Sequence, residues 1–150
     1  MNKKIFIGAD HAGFNYKEKI KKVLKRNDYD VLDFEKHFVS DDDYPEIAFK
    51  VAEKVAEDKN SKGILICGSG AGMAIAANKV KGIRAVEVYD KYSAKMSREH
   101  NDSNIATFGA RDLSFEKMKS LLNIWLKTKT SNEERHHRRI REILHYENKK

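Results

Sequence analysis

One stretch near the middle of the chain constrains the fold more than any other. Residues 64–66 are Ile-Leu-Ile, and glycines follow at positions 68, 70 and 72. Residues 74–77 are then mostly alanine, a strong helix former. This order predicts a buried strand, a tight turn and a helix. Such a turn directs several backbone N–H groups at one point, which favours the binding of an anion.

Cys67 is the only cysteine of the chain and lies where the predicted strand ends. Open α/β sheets bind their ligands at this end of their strands. A thiolate beside a helix N-terminus is stabilised, so Cys67 is a candidate nucleophile or base. Alternatively, Cys67 has no catalytic role and is a small buried apolar residue, as single cysteines often are.

Two nucleotide-binding motifs are excluded at this turn. The dinucleotide fingerprint requires Gly or Ala where this chain has Met73. A P-loop ends in Gly-Lys-Ser/Thr, which does not occur here. The glycine turn alone therefore predicts that a charged group binds, without indicating which one.

Apolar runs and stripes along the rest of the chain predict alternating strands and helices. The predicted strands cover residues 3–8, 29–34, 64–66, 83–89 and 105–109. Helices are predicted over 14–26, from Pro45 onward, over 74–77 and 93–100, after an N-cap at Ser114, and over 133–147. Alternation of this kind predicts an α/β fold: a three-layer αβα sandwich with a five-stranded parallel Rossmann-like sheet and an extra C-terminal helix.

Length and composition limit the remaining possibilities. A chain of 150 residues predicts a single domain over residues 1–150. No apolar run approaches the roughly 20 residues of a membrane span, so we expect no membrane partner. A single cysteine is typical of a reducing cytoplasm, which predicts a cytoplasmic location. The six histidines are scattered, so no metal site is expected.

Two charged segments have both an ordinary and a functional explanation. Arg135 and Arg139 lie four apart on the last helix, where paired guanidinium groups suit a phosphate, although a charged run is more often simply solvated. The apolar stripe of this helix is small, so we expect it to pack on another subunit. Residues 41–43 are Asp-Asp-Asp, and we expect them to be solvated near a helix N-terminus.

The predicted strand ends bring polar side chains to one edge of the sheet. Asp10 and His11 follow the first strand, and Arg111 follows the fifth. Asp10 could instead cap the next helix, and His11 could be an ordinary surface residue. A base, a group of amides and arginines together suit the isomerisation of a phosphorylated sugar. The base removes a proton beside a carbonyl, amides stabilise the enediolate oxygen, and the phosphate anchors the substrate.

Seven stretches, in order along nearly the whole chain, resemble the B-type ribose-5-phosphate isomerases. They are residues 8–13 (GADHAG), 43–45 (DYP), 66–72 (ICGSGAG), 82–85 (GIRA), 97–104 (SREHNDSN), 108–111 (FGAR) and 135–139 (RHHRR). The wider family also contains allose- and galactose-6-phosphate isomerases. Its members often carry Gly-Gly where this chain has Glu133-Glu134.

The resemblance implies a reaction and a set of roles. The reaction is the interconversion of D-ribose 5-phosphate and D-ribulose 5-phosphate through a cis-enediolate, in the non-oxidative pentose phosphate pathway. Cys67 resembles the base that moves the proton between C1 and C2, Ser69 the hydroxyl that moves protons between the oxygens, and His100 the acid that opens the furanose ring. Substrate or phosphate contacts are implied for Asp10, His11, Gly68, Gly70, Ala71, Gly72, Asn101, Arg111, Arg135 and Arg139. The resemblance further implies no cofactor, and a homodimer or homotetramer with shared active sites.

Two other classes of protein remain as alternatives. A nucleotide-binding or redox α/β domain would have this fold, but the chain lacks the third glycine of the fingerprint and a second cysteine. A nucleic-acid-binding module would explain the net charge of +7, but no recognition motif is present. We therefore expect a sugar phosphate as the partner and no nucleic acid.

Overall fold

A five-stranded parallel sheet forms the centre of the computed structural model, which describes residues 3–149. The strands are β1 (Lys4–Ala9), β2 (Asp30–Asp33), β3 (Lys62–Cys67), β4 (Ala85–Glu87) and β5 (Ile105–Gly109), in the spatial order β2-β1-β3-β5-β4. The helices are α1 (Phe14–Arg26), α2 (Tyr44–Glu57), α3 (Ala71–Ala77), α4 (Lys91–Glu99), α5 (Phe115–Lys127) and α6 (Glu134–Asn148). The predicted α/β sandwich is confirmed. The predicted single domain includes residues 1, 2 and 150, which lie outside the described residues.

Helices cover both faces of the sheet, and β3 supplies side chains to both. Ile64 and Ile66 belong to the core that also contains residues of α1, α4 and α5. Leu65 and Cys67 belong to the core beneath α2 and α3. Alternate residues of a strand point to opposite faces, and each fully buried Leu or Ile stabilises the fold by about 1.5–3 kcal/mol. This alternation places the Cys67 side chain on the face that α2 and α3 cover.

The fourth strand is shorter than predicted. The sequence predicts a strand over residues 83–89, but β4 spans only Ala85–Glu87. The hydroxyl of Ser93 accepts the backbone N–H groups of Tyr89 and Asp90, and the Asp90 side chain accepts the N–H of Ser93. This capping box starts α4 and withdraws residue 89 from the strand.

A buried ion pair fixes the loop that follows β2. Lys17 of α1 is fully buried, and its Nζ lies 2.9 Å from Asp33 Oδ1. The same ammonium group donates a hydrogen bond to the Glu35 carbonyl. Burial opposes the ionisation of Asp33, but hydrogen bonds from Lys21 and Lys17 hold the pKa of this carboxyl below its usual value. The pair therefore anchors the start of the loop that leads to α2.

Helix α6 packs partly on its own chain, and the expectation that it also packs on another subunit stays a prediction. His136 is buried near its start, and Glu147 near its end accepts a hydrogen bond from the Gly82 N–H at 2.8 Å. Ile143 remains 51% exposed, so part of the apolar stripe does not pack within the chain. Among residues 3–149, no helix has the length and apolarity that crossing a bilayer requires.

Candidate active site

A cavity of about 540 Å³ lies at the edge of the sheet where β1, β3 and β5 end. Its lining contains most of the residues expected there: Asp10, His11, Cys67, Gly68, Ser69, Gly72 and Arg111, together with Ala12, Tyr44 and Asp112. Gly70 is buried in the same turn, and Ala71 is the first residue of α3. The ends of parallel strands thus bring together side chains that are up to 102 positions apart in the sequence.

The Cys67 side chain is held against the backbone of the glycine turn. It is only 4% exposed, and its sulfur accepts the N–H of Gly70 at 3.1 Å. Gly70 has a φ of +88°, and a Cβ there would lie 2.9 Å from the carbonyl carbon of Phe108. Only glycine fits this position without strain. The turn is therefore shaped so that an amide dipole points at the sulfur.

Hydrogen bonds from β5 and the residues after it hold the glycine turn in place. The N–H of Ala110 donates to the Cys67 carbonyl at 2.8 Å, and the N–H of Arg111 donates to the Gly68 carbonyl at 3.0 Å. The Thr107 hydroxyl donates to the Gly70 carbonyl at 2.8 Å. With these carbonyls occupied, the amides of the turn keep fixed directions. Fixed donors of this kind stabilise a developing negative charge without reorganising.

Two other glycines provide room for large side chains at the cavity. A Cβ on Gly68 would lie 3.3 Å from Nη1 of Arg111, so the guanidinium group packs closely against this part of the turn. A Cβ on Gly72 would lie 2.6 Å from the Tyr44 ring. Tyr44 was not predicted as a site residue, although it belongs to the 43–45 stretch on which the resemblance partly depends. Its ring lies at the start of α2 and is 39% exposed.

Asp10 fixes the turn before α1, but it is not the cap that was considered as an alternative, because Gly13 is the N-cap and no side chain caps the helix. Its Oδ1 accepts the N–H groups of Ala12 and Gly13 at 3.0 and 3.1 Å, just before α1. Burial raises the pKa of Asp10, against the effect of the Gly13 hydrogen bond. Asp10 also lines the cavity, so it stays in the candidate site.

Asp42 holds His11, so the expectation that residues 41–43 are merely solvated is wrong for this residue. Asp42 Oδ1 accepts the backbone N–H of His11 at 2.7 Å and lies 2.9 Å from Nδ1 of the ring. The hydrogen bond to Asp42 raises the pKa of His11, and the neighbouring carboxylates add to this effect. A pairing across 31 positions leaves no local pattern in the sequence, which is why it was missed.

The pH dependence of substrate binding tests this pair. A protonated His11 attracts a phosphate, and this attraction is lost as the pH rises through the raised pKa of His11. Asp42→Asn removes the charged acceptor and lowers that pKa, so KM should begin to rise at a lower pH than in the wild type. Asp41→Asn is the matched control and should shift the profile less, because Asp41 makes no hydrogen bond to His11 within residues 3–149 and its charge is the smallest of the effects that raise the pKa of His11. Identical KM–pH profiles for Asp42→Asn and wild type would contradict the assignment.

Four predicted site residues lie outside this cavity within the described chain: His100, Asn101, Arg135 and Arg139. His100 ends α4, and its ring stacks on that of His136 with 4.1 Å between centroids and 8° between planes. His136 is 4% exposed, and its Nε2 has no hydrogen-bond partner among residues 3–149. Burial and the nearby His100 lower the pKa of His136. The lowered pKa favours the neutral form of the His136 ring at this buried position.

The two candidate arginines of α6, Arg135 and Arg139, are exposed, and Arg135 is already paired. The Nε of Arg135 lies 2.7 Å from a carboxylate oxygen of Glu133. Glu134 instead pairs with Arg141, two turns further along the same helix. The candidate residues therefore form two groups in this chain, one around Cys67 and one around His100 and α6.

Within residues 3–149, no three His, Cys, Asp or Glu side chains converge as metal ligands would.

Comparison with known proteins places this chain in a family. Residues 5–143 match the Ribose/Galactose Isomerase family. Ribose-5-phosphate isomerase B of Escherichia coli is 44% identical over 124 residues, covering 83% of each chain. D-erythrulose-4-phosphate isomerase 2 of Mycolicibacterium smegmatis is 45% identical over 126 residues, covering 82% of this chain and 83% of the relative.

Solved structures agree with this match over the whole chain. Ribose-5-phosphate isomerase B of Mycoplasma genitalium, solved with bound ribulose-5-phosphate, superimposes with a TM-score of 0.95 at 37% identity, covering 100% of this chain and 99% of that one. The chain belongs to the ribose/galactose isomerase family. Its enzymatic class is that of the aldose–ketose isomerases.

Proposed function

We propose that this protein interconverts D-ribose 5-phosphate and D-ribulose 5-phosphate through a cis-enediolate. The observation that carries the proposal is the position of Cys67, whose sulfur lies 3.1 Å from the Gly70 amide at the edge of a cavity that Arg111 also lines. A base, fixed amide donors and a cation then act within one site. The full-length similarity to a structure with bound ribulose-5-phosphate supports the choice of substrate.

The proton transfer follows from this geometry. The Cys67 thiolate takes the proton from C2 of the open-chain aldose, and the C–H electron pair forms the C1–C2 double bond as the carbonyl oxygen becomes negative. The amides of the glycine turn stabilise that oxygen. The exposed hydroxyl of Ser69 moves a proton between the two oxygens. The Cys67 thiol then returns its proton to C1, which completes the ketose without a cofactor.

The phosphate end of the substrate requires more cations than this cavity provides. Within the described chain, the basic side chains that line it are His11 and Arg111. We propose a homodimer, alone or paired as a tetramer, in which the partner subunit supplies the group around His100 and α6. Arg135 and Arg139 would then bind the phosphate, and His100 with Asn101 would act on the furanose ring. The half-exposed Ile143 is consistent with a partner surface along α6.

A comparison of substrates tests the assignment. The relatives carry the names of five-carbon and four-carbon sugar-phosphate isomerases, so the experiment varies the length of the sugar. We expect kcat/KM to be highest for ribose 5-phosphate when it is compared with D-erythrulose 4-phosphate, allose 6-phosphate and galactose 6-phosphate. A higher value for any of the other three would replace ribose 5-phosphate as the substrate. Under the present proposal, the reaction belongs to the non-oxidative pentose phosphate pathway of the cytoplasm.

Glu133 should weaken substrate binding because it competes for Arg135. The two side chains form an exposed ion pair, and exposed pairs of this kind contribute little. Glu133→Gln frees the guanidinium group, and we expect KM to fall about two- to fivefold with kcat unchanged. Glu134→Gln is the matched control, because Glu134 pairs with Arg141. A rise in KM for Glu133→Gln would show that the pair instead holds Arg135 in position.

A further inference from the structure

A second group of cations lies at the opposite edge of the sheet from Cys67. Lys62 is the first residue of β3, and Cys67 is the last. A strand rises about 3.3 Å per residue, so these two positions are about 17 Å apart. The proposed isomerisation does not use any residue at this edge. It also does not explain the net charge of +7.

Two adjoining cavities open around Lys62. One has a volume of about 400 Å³, the other about 450 Å³, and Lys59, Lys62 and Arg98 line both. Within the described chain, no carboxylate lines the smaller cavity, whereas lysines surround it: Lys3, Lys4, Lys59, Lys62, Lys127 and Lys129. Lys4 is paired with Asp58 at 3.0 Å, but the charges of the other five lysines around one concave space repel each other unless an anion joins them.

Lys62 shows the effect of this crowding. Its Nζ lies 5.6 Å from the centroid of the Trp125 ring, and the guanidinium carbon of Arg98 lies 5.8 Å from the same centroid. Burial and the charge of Arg98 lower the pKa of Lys62 to about 8, although Asp102 acts in the opposite direction. The ammonium group is therefore poorly neutralised by the protein itself.

Arg98 also has unused hydrogen-bonding capacity. It is 6% exposed, and its Nη1 donates to Asp102 Oδ1 at 2.7 Å and to the Ser103 carbonyl at 2.6 Å. Its buried Nε has no acceptor among residues 3–149. The carboxylate of Asp102, which accepts this bond from Arg98, also accepts hydrogen bonds from Arg84 and Thr130. A buried donor without an acceptor is costly, and a bound anion would supply the missing partner.

We propose that this edge of the sheet binds a small polyphosphate anion, such as the di- or triphosphate group of a metabolite. One phosphate carries about −1.5 to −2 charges, so it would neutralise only part of the lysine cluster. The site is concave and of the size that holds small ligands. Trp125 is fully buried and offers no face on which nucleic-acid bases could stack. These features favour a compact polyanion over an extended nucleic acid.

Calorimetric titration with inorganic triphosphate tests the site, with ribose 5-phosphate present at saturation to occupy the active site. The double variant Lys127→Gln/Lys129→Gln removes two exposed cations that line the smaller cavity, and its triphosphate affinity should fall about tenfold. Lys22→Gln/Lys95→Gln is the control, because it removes the same charge from exposed positions outside both cavities. Its affinity should change less than twofold.

Each other outcome overturns the proposal. Equal losses in both double variants would mean that triphosphate responds only to net charge. Displacement of triphosphate by ribose 5-phosphate would mean that triphosphate binds in the isomerase site. Tighter binding of a short single-stranded DNA than of triphosphate, weakened in the Lys127/Lys129 variant, would make this edge a nucleic-acid surface. An absence of triphosphate binding at low salt would show that the cavities hold no polyanion.

Discussion

Replacing Cys67 with alanine is expected to lower kcat for ribose 5-phosphate by about 10²–10⁴-fold, the usual contribution of a positioned base. The loss should appear in kcat rather than in KM, because the thiolate acts only during the proton transfer. The cavity is otherwise kept, since the turn is held by hydrogen bonds from the backbone N–H groups of Ala110 and Arg111 and from the Thr107 hydroxyl. The measurement is steady-state kinetics in both directions, with circular dichroism to confirm folding.

Two further measurements make this result specific to proton transfer. Ribulose 5-phosphate incubated with the wild type in D₂O should gain deuterium at C1, and Cys67→Ala should lose this exchange together with turnover. Cys67→Ser preserves the size of the side chain, but a hydroxyl is a far weaker acid than a thiol. We therefore expect turnover and exchange of Cys67→Ser to be impaired almost as strongly as those of Cys67→Ala. A Cys67→Ala enzyme with nearly normal kcat would remove the sulfur from the mechanism.

His100→Ala is expected to lower turnover of the furanose form by about 10²-fold or more, while the open-chain aldehyde remains a good substrate. The physical reason is that opening the ring requires an acid at the ring oxygen, whereas the later steps require Cys67. Stopped-flow assays that separate the two forms would measure both rates. Equal losses on both forms would mean that His100 serves the structure, through its stack on His136, and not ring opening.

The same variant can reveal whether active sites are shared between subunits. In one chain, Cys67 lines the cavity and His100 does not. If the partner supplies His100, a mixed dimer of Cys67→Ala and His100→Ala chains has one intact site. Co-refolding equal amounts should then restore about a quarter of the wild-type activity, because half of the random dimers are mixed and each has one working site of two. No gain over the parent variants would argue that each chain completes its own site.

Several elements followed from local patterns alone. The Ile-Leu-Ile run of residues 64–66 and the glycines after it predicted the strand, the turn and the position of Cys67, all of which the structure contains. The helix over 14–26 and the strand over 105–109 were predicted to the residue. These features depend on neighbours within a few positions, so a linear sequence records them directly.

Other features depended on contacts that no local pattern records. Asp42 and His11 are 31 positions apart, yet their hydrogen bond raises the pKa of the imidazole. His136 stacks on His100 although it lies on another helix, and it was not predicted as part of the site. In the same way, the start of α4 directly after β4 depends on the capping box in which the Ser93 hydroxyl accepts the N–H groups of Tyr89 and Asp90.

The sequence by itself determined the order of strands and helices, the glycine turn around Cys67 and the family to which the chain belongs, since periodicity and short motifs are properties of neighbouring residues. Only the tertiary structure decided which side chains share a space. It placed Asp10, His11 and Arg111 with Cys67, and it kept His100 and the arginines of α6 apart from them. Packing of distant segments fixes such distances, and they set hydrogen bonds, burial and pKa values on which the proposed chemistry depends.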